Sequence, residues 1–308
     1  TMTVMGSGRN TVVEAQVRVG ADTIELAYFT IEQGNNDNIN LFNSAKNSYF
    51  HHLWLDGLNT GGNCIDSGSG NHGLRIENNY MTQCGSQAII SGSNDVTITN
   101  NRIEDSNNSA LYMNGGTQWK VEGNYINRVD NAVALGGSEV VFTGNFVRSN
   151  SGNTTRGAPS KATITGNTFI NTSGGNMWIM EPTDSIVASN YIENQGSNNI
   201  AVFSQNMTGT VFVSNYFKIN SNGKEIWMQN DNSTWLNNYF DSEISSVFHI
   251  DGSNNWFQGN YFPNGDGFTD DGSGNRWICK FSSVPNADSV LGGNNVKGAG
   301  DIPQDSGI

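Results

Sequence analysis

Apolar and polar positions in this chain alternate in short bursts, and the bursts recur about every twenty-two residues. Each burst holds an Asn followed by an aromatic or apolar pair. The central ones are Asn79-Tyr80-Met81, Asn101-Arg102-Ile103, Asn124-Tyr125-Ile126, Asn145-Phe146-Val147 and Asn167-Thr168-Phe169. They continue as Asn190-Tyr191-Ile192, Asn215-Tyr216-Phe217, Asn238-Tyr239-Phe240 and Asn260-Tyr261-Phe262. Three residues before each Asn stands an apolar residue, from Ile76 to Phe257, and two residues after it stands another, from Met81 to Phe262. A second apolar piece lies between phrases, as in Ala110-Leu111-Tyr112-Met113 and Met177-Trp178-Ile179-Met180.

These pieces are too short for ordinary helices and sustain no helical period. β-Branched and aromatic residues bounded by Asn, Ser and Gly predict short strands. One such unit cannot bury its own apolar face, but units stacked on each other can. The pattern therefore predicts an all-β solenoid with three short strands per turn. The repeated Asn is expected to point inward at a bend. There its amide bonds to the Asn above and below and to backbone groups freed by the turn. A leucine-rich horseshoe is excluded by the missing Leu pattern, and a propeller needs a much longer repeat.

Extended upstream, the register takes in Ala27-Tyr28-Phe29 and Ser48-Tyr49-Phe50. It then requires about nine inserted residues before Asn79, placed as a loop near 58–66. A second loop is expected at 149–161. Residues 1–262 read as solenoid, and 263–308 as irregular C-terminal rungs, a cap or a subunit-contact segment. The chain opens mid-rung at Thr1-Met2-Thr3-Val4, with neither a capping helix nor a signal peptide, as expected of a piece of a longer chain.

Composition narrows the partners. Of 308 residues, 47 are Asn and 37 are Gly, only 14% are charged, and the net charge is -13. Scattered Lys and Arg exclude a nucleic-acid surface. No apolar run is long enough to span a bilayer, which excludes membrane insertion by a helix. Cys64, Cys84 and Cys279 form an odd set without ligand spacing. Cys64 and Cys84 could pair; the favoured reading makes them small buried apolar residues.

The Asn-Tyr-Ile and Asn-Tyr-Phe phrases near a twenty-two-residue spacing resemble the right-handed parallel β-helix of the pectate-lyase-like superfamily, over roughly residues 4 to 262. That resemblance implies a single-stranded right-handed parallel β-helix of about eleven or twelve rungs. Within the superfamily the chain looks most like bacteriophage tailspikes and inulin fructotransferase. Leu74-Arg75-Ile76-Glu77-Asn78-Asn79-Tyr80-Met81 with Cys84-Gly85, and Val247-Phe248-His249-Ile250-Asp251-Gly252, are similar to rungs of the latter. The tailspike likeness implies binding and cleavage of bacterial surface polysaccharide by a homotrimer, outside the cell or on a virion surface. A secreted fructan or uronan enzyme (fructotransferase, hydrolase or lyase) and a non-enzymatic adhesive stalk remain as alternatives.

Four sets of residues carry candidate chemistry. The first is an outward aromatic ladder one residue after each Asn: Tyr49, Tyr80, Tyr125, Phe146, Tyr191, Tyr216, Tyr239 and Tyr261, interrupted by Arg102 and Thr168. Such rings suit sugars, and they equally suit stacking or a subunit interface. Trp178 and Trp227, in middle strands, are expected to line a groove. The second set is the carboxylates Glu104, Asp105 and Asp130, with Glu193, Asp241 and Glu243 further on. Rung spacing can bring such pairs to the separations that glycosidic cleavage uses. The third is His51-His52, with Asp56 and Asp66 nearby, where a His could act as a base. The fourth is basic: Lys120, Arg128, Arg148, Arg156 and Lys161, suited to an anionic glycan or to balancing neighbouring acids. Four His residues make a His-based metal site an unfavoured reading. The runs Asp66-Ser67-Gly68, Asp266-Gly267 and Asp270-Asp271-Gly272 offer oxygen ligands of the kind Ca²⁺ takes. No other cofactor is indicated.

Overall fold

Alternation within each short strand sends one residue of a pair inward and the next outward. In the computed structural model this produces strands of mostly three to six residues, all paired in parallel with strands about one repeat away. Residues 2–42, 45–172, 175–196, 200–219, 225–242, 248–262, 268–281 and 296–297 are described. The fold is all-β, a right-handed parallel β-helix with three strands per turn. Sheet C precedes the repeated Asn, sheet A follows it, and sheet B is the middle strand. Glu243 and the Asp266-Gly267 run lie outside the described residues.

The chain divides into two units, Thr1–Asn150 and Ser151–Ile308. In the first, sheet A stacks Thr30, Trp54, Tyr80, Arg102, Tyr125 and Phe146 in register. Sheet C stacks Leu26, Phe50, Ile76, Ile98, Val121 and Phe142, all buried. In the second, sheet C stacks Ile164, Val187, Phe212, Trp235, Phe257 and Trp277 in the core. There Phe212 lies flat on Trp235 and Phe257 on Trp277, at centroid distances of 3.8 and 3.7 Å. Aromatic columns of this kind fill the wide interior with few side chains.

The Asn ladder forms as the spacing requires. In the first unit Asn79, Asn101, Asn124 and Asn145 are buried, and the carboxamide oxygens of Asn101, Asn124 and Asn145 each accept from the backbone N–H and Nδ2 of the Asn one rung earlier. In the second unit Asn190, Asn215, Asn238 and Asn260 repeat the pattern. The residue just before each Asn has a left-handed backbone: Asn78, Asn100, Gly123, Gly144, Gly166, Ser189, Ser214, Asn237 and Gly259 all have φ between 51 and 65°. Gly and Asn tolerate that region, which is why they crowd this position.

Two sequence expectations fail here. The upstream register is displaced. Tyr49 and Phe50 pair with Arg75 and Ile76, so they belong to sheet C and precede the turn. Leu53 takes the place of the Asn, and its N–H donates to Asn79 Oδ1 across 26 residues. Trp54, not Tyr49, occupies the ladder position beside Tyr80. The Tyr-Phe pair imitates the phrase without its Asn, and the same holds for Tyr28-Phe29. Second, Cys64 and Cys84 form a disulfide across a separation of 20 residues, with their Cα atoms 5.4 Å apart. Both are also fully buried. Both lie in the turns between sheets A and B of neighbouring rungs, a proximity the linear sequence does not display. Closing a loop of this length stabilises a fold by about 3 kcal/mol through the unfolded chain.

Candidate active site

The predicted carboxylates separate into two roles. Glu104 is buried at the end of the strand Arg102–Glu104. Tyr80 Oη donates to it at 3.1 Å, Arg102 Nη2 at 3.0 Å, and Arg128 Nη2 lies at 3.8 Å. Burial pushes this carboxyl upward, but the hydrogen bonds from Arg102 and Tyr80 and the charges of Arg102 and Arg128 outweigh it, so its pKa falls below the ordinary value. Glu193 repeats the design with Tyr191 and Lys218. These acids are anchored anions that tie rungs together. Because the folded pKa of Glu104 is depressed, its stabilisation is present above the unfolded pKa and is lost as pH falls through the folded one. Glu104→Gln is therefore expected to lower stability at neutral pH and to flatten the loss of stability below about pH 4.5, as acid titrations of the urea midpoint would show.

Asp105, Arg128 and Asp130 do come together. With Asn59, Gln83, Ser106 and Asn107 they line a polar cavity of about 350 Å³ at the turn from sheet A to sheet B. Arg128 Nη2 donates to Asp105 Oδ2 at 2.8 Å. Arg148 is exposed on the strand Phe146–Ser149.

The aromatic ladder forms with its faces covered. Tyr125 stacks on Phe146 at 5.0 Å, and Arg102 spans the gap between the rings of Tyr80 and Tyr125. Tyr80 packs on Trp54, whose other neighbour is the guanidinium of Arg9. In the second unit Tyr191, Tyr216 and Tyr239 stack at 5.4 and 4.9 Å. Rings stacked this way present edges and hydroxyls outward, and the flat faces that a sugar would cover are already used. Trp178 is not in a groove. It is 1% exposed, inside the coil, with Nε1 donating to the carbonyl of Met180.

Trp227 leads to a constellation that the residue-by-residue reading did not assemble. Its strand, Glu225–Asp231, is paired in sheet B with Phe248–Ile250, which pairs with Phe268–Asp270. Ile226, Met228 and Ile250 point into the core, so Trp227 and His249 alternate outward and Gln229, Asp251 and Asp271 follow at the strand ends. His249 Nε2 lies 2.8 Å from Asp251 Oδ1 and 3.2 Å from Asp271 Oδ2. Two carboxylate neighbours require this nitrogen to carry the proton. Asp251 Oδ2 accepts from Trp227 Nε1 at 2.6 Å and from Gln229 Nε2 at 3.3 Å. Trp227 lies nearly parallel to the His249 ring, 5.7 Å away. Asp251 is thus held from three sides, while Asp271 is 64% exposed. Neighbouring Asp270 is spent on structure: it is buried and accepts from Asn275, Trp277 and the Gly272 N–H.

Among the described residues, His249, Asp251 and Asp271 are the group whose ligand atoms converge enough to hold a metal, all within 4.8 Å of one another. One imidazole nitrogen and two carboxylate oxygens suit a borderline ion such as Zn²⁺ better than Ca²⁺, which takes oxygen ligands. The signal for this cluster was present as His249-Ile250-Asp251 followed one rung later by Asp270-Asp271. Sheet B carries no marker residue to align the two.

No protein-family model and no curated protein sequence matches the chain. Solved structures do match. DFA-IIIase from Arthrobacter chlorophenolicus A6, without its lid, aligns with a TM-score of 0.54 at 11% identity, over 94% of this chain and 86% of that one. The A-module of the Azotobacter vinelandii mannuronan C-5 epimerase AlgE6 gives 0.49 at 14% identity, over 79% and 83%. ORF18 of Geobacillus virus E2 gives 0.28 at 10% identity, over 88% of this chain and 52% of that one. The chain shares the β-helix fold of the first. In the described residues no helix is long and apolar enough to cross a membrane.

Proposed function

We propose that the protein is a carbohydrate-active enzyme that cleaves or transfers glycosyl units of a neutral polysaccharide, with the outer face of sheet B as its substrate track. The observation that carries this reading is the convergence of His249, Asp251 and Asp271 beside Trp227. Glycosidic cleavage with a covalent intermediate uses two carboxyl groups about 5–5.5 Å apart. Asp251 and Asp271 bring oxygens within 4.8 Å of each other on one face. The held Asp251 serves as the anion that meets positive charge at the anomeric carbon. Asp271, exposed beside His249, is the second carboxyl group of the pair, and in its protonated form it gives its proton to the leaving oxygen. Trp227 offers apolar area beside them for a sugar ring.

The cluster carries the two carboxyl groups of Asp251 and Asp271. Coulomb repulsion therefore disfavours a uronate chain and favours fructan or another neutral glycan. The Cys64–Cys84 disulfide fits an oxidising, extracytosolic setting. Affinity electrophoresis tests the track. Neutral polymers are expected to retard the protein, Trp227→Ala to weaken that retardation about tenfold, and alginate or polygalacturonate to have little effect. Retardation by uronans alone would overturn the reading.

A further inference from the structure

Far from His249 in sequence, the first rungs hold a second chemical constellation. The strands Ile24–Ala27 and Tyr49–His51 are neighbours in sheet C, with Ala27 opposite His51. His51 is almost fully buried, and its Nε2 lies 2.9 Å from Glu25 Oε1. Its Nδ1 lies 2.8 Å from Nδ1 of His52. Glu25 Oε2 accepts from Thr3 Oγ1 at 3.1 Å. The hydrogen bonds from His51 and Thr3 hold the Glu25 carboxyl below its ordinary pKa, so it is an anion. Tyr49 stacks on His51 at 4.2 Å and fixes its plane. Tyr28 stacks on His52 at 5.0 Å and is itself 42% exposed.

Proton counting fixes the direction. Facing a carboxylate, His51 Nε2 must be the donor. A neutral His51 then has a lone pair on Nδ1, which accepts the Nδ1–H of His52. That leaves the lone pair of His52 on Nε2, on an exposed side chain.

The backbone adds an independent observation. Tyr28 and His52 stand at the left-handed turn position, with φ of 62 and 54°. Every rung with a ladder Asn fills this position with Gly, Asn or Ser. Two ring side chains there carry strain that the Asn-bearing rungs avoid at this position, and such strain concentrates at functional positions. The same two rungs also lack the ladder Asn, having Phe29 and Leu53 instead.

We propose that Glu25, His51 and His52 form a proton relay that presents His52 Nε2 at the surface as a base toward a hydroxyl-bearing ligand seated beside Tyr28. The proton leaves the ligand oxygen for Nε2. The imidazolium so formed is stabilised through His51 by the Glu25 carboxylate. Glu25 and His51 are positioning residues, and His52 is the group that touches the ligand. This inference does not depend on the sheet B site.

Diethyl pyrocarbonate, which acylates the free imidazole lone pair, is the probe, with exposed His72 as the internal reference. Residue-resolved mass spectrometry is expected to show His52 modified about tenfold faster than His72 at neutral pH. His51→Phe keeps the ring that stacks on Tyr49 and removes both nitrogens, and it should bring the two rates together. Glu25→Gln keeps an acceptor but removes the charge, and should fall between. ¹⁵N spectra of the unmodified protein should show His51 protonated at Nε2 and His52 at Nδ1, a signature that a purely structural pair need not give. Equal rates for His52 and His72 in the native protein, a ratio unchanged in His51→Phe, or the opposite tautomers would overturn the proposal.

Discussion

Replacing Asn124 by Ala is expected to remove about 3–5 kcal/mol of stability, a large part of what holds a typical domain folded. The side chain is 1% exposed and acts on three rungs at once. Its Oδ1 accepts from the N–H and Nδ2 of Asn101 at 2.9 and 3.0 Å. Its Nδ2 donates to the carbonyl of Ile98 at 2.9 Å and to Asn145 Oδ1 at 2.9 Å. Alanine leaves a buried N–H and a buried carbonyl unpaired, and each such group costs about 1–3 kcal/mol. Lys120→Ala, which breaks the exposed pair with Glu122, should cost less than about 1 kcal/mol. Urea midpoints of the two variants read the contrast directly. Similar midpoints would mean that the ladder is ornament rather than scaffold.

The ladder is also what made the fold legible. An inward Asn at a fixed place in each turn is a chemical marker that repeats with the rung, and the alternation around it assigns inside and outside. Where the marker is missing, the reading slips. Tyr49-Phe50 looks like the pair after an Asn, yet lies before the turn because Leu53 holds the Asn's place. Sheet B has no marker, and the loops on either side of it vary in length. His249, Asp251 and Asp271 were therefore visible as separate residues and not as one site. The same blindness hid Cys64 from Cys84. Trp178 was misplaced because two neighbours in a strand have opposite fates, and only register decides which faces the core. Asp105, Arg128 and Asp130 fared better, since they follow the marked strand directly.

The second large effect concerns turnover. Asp251→Asn keeps the shape of the side chain and its reach to Trp227 and Gln229 but removes the charge that faces His249. His249→Ala leaves Asp251 and Asp271 facing each other with no proton between them. Each is expected to lower kcat on a neutral polysaccharide by about 10²–10⁴-fold, the usual worth of a positioned acid or base. The urea midpoint should barely move, because these side chains lie outside the Asn ladder and the apolar columns. Asp105→Asn and Asp130→Asn serve as the counterpart in the polar cavity at the turn from sheet A to sheet B. A severe loss there, with Asp251→Asn within about threefold of the native enzyme, would transfer the chemistry to that pocket.

The most direct test is product analysis. The native protein and Asp251→Asn would be incubated in parallel with inulin, levan, dextran and neutral capsular or O-chain polysaccharides, and with alginate and pectin, and the products weighed by mass spectrometry. The expected result is saturated oligosaccharides from a neutral polymer, either one water heavier per cut chain or closed as anhydrides, and their loss in Asp251→Asn. Ultraviolet-absorbing unsaturated sugars from alginate or pectin, formed equally by both proteins, would contradict both the substrate class and the site.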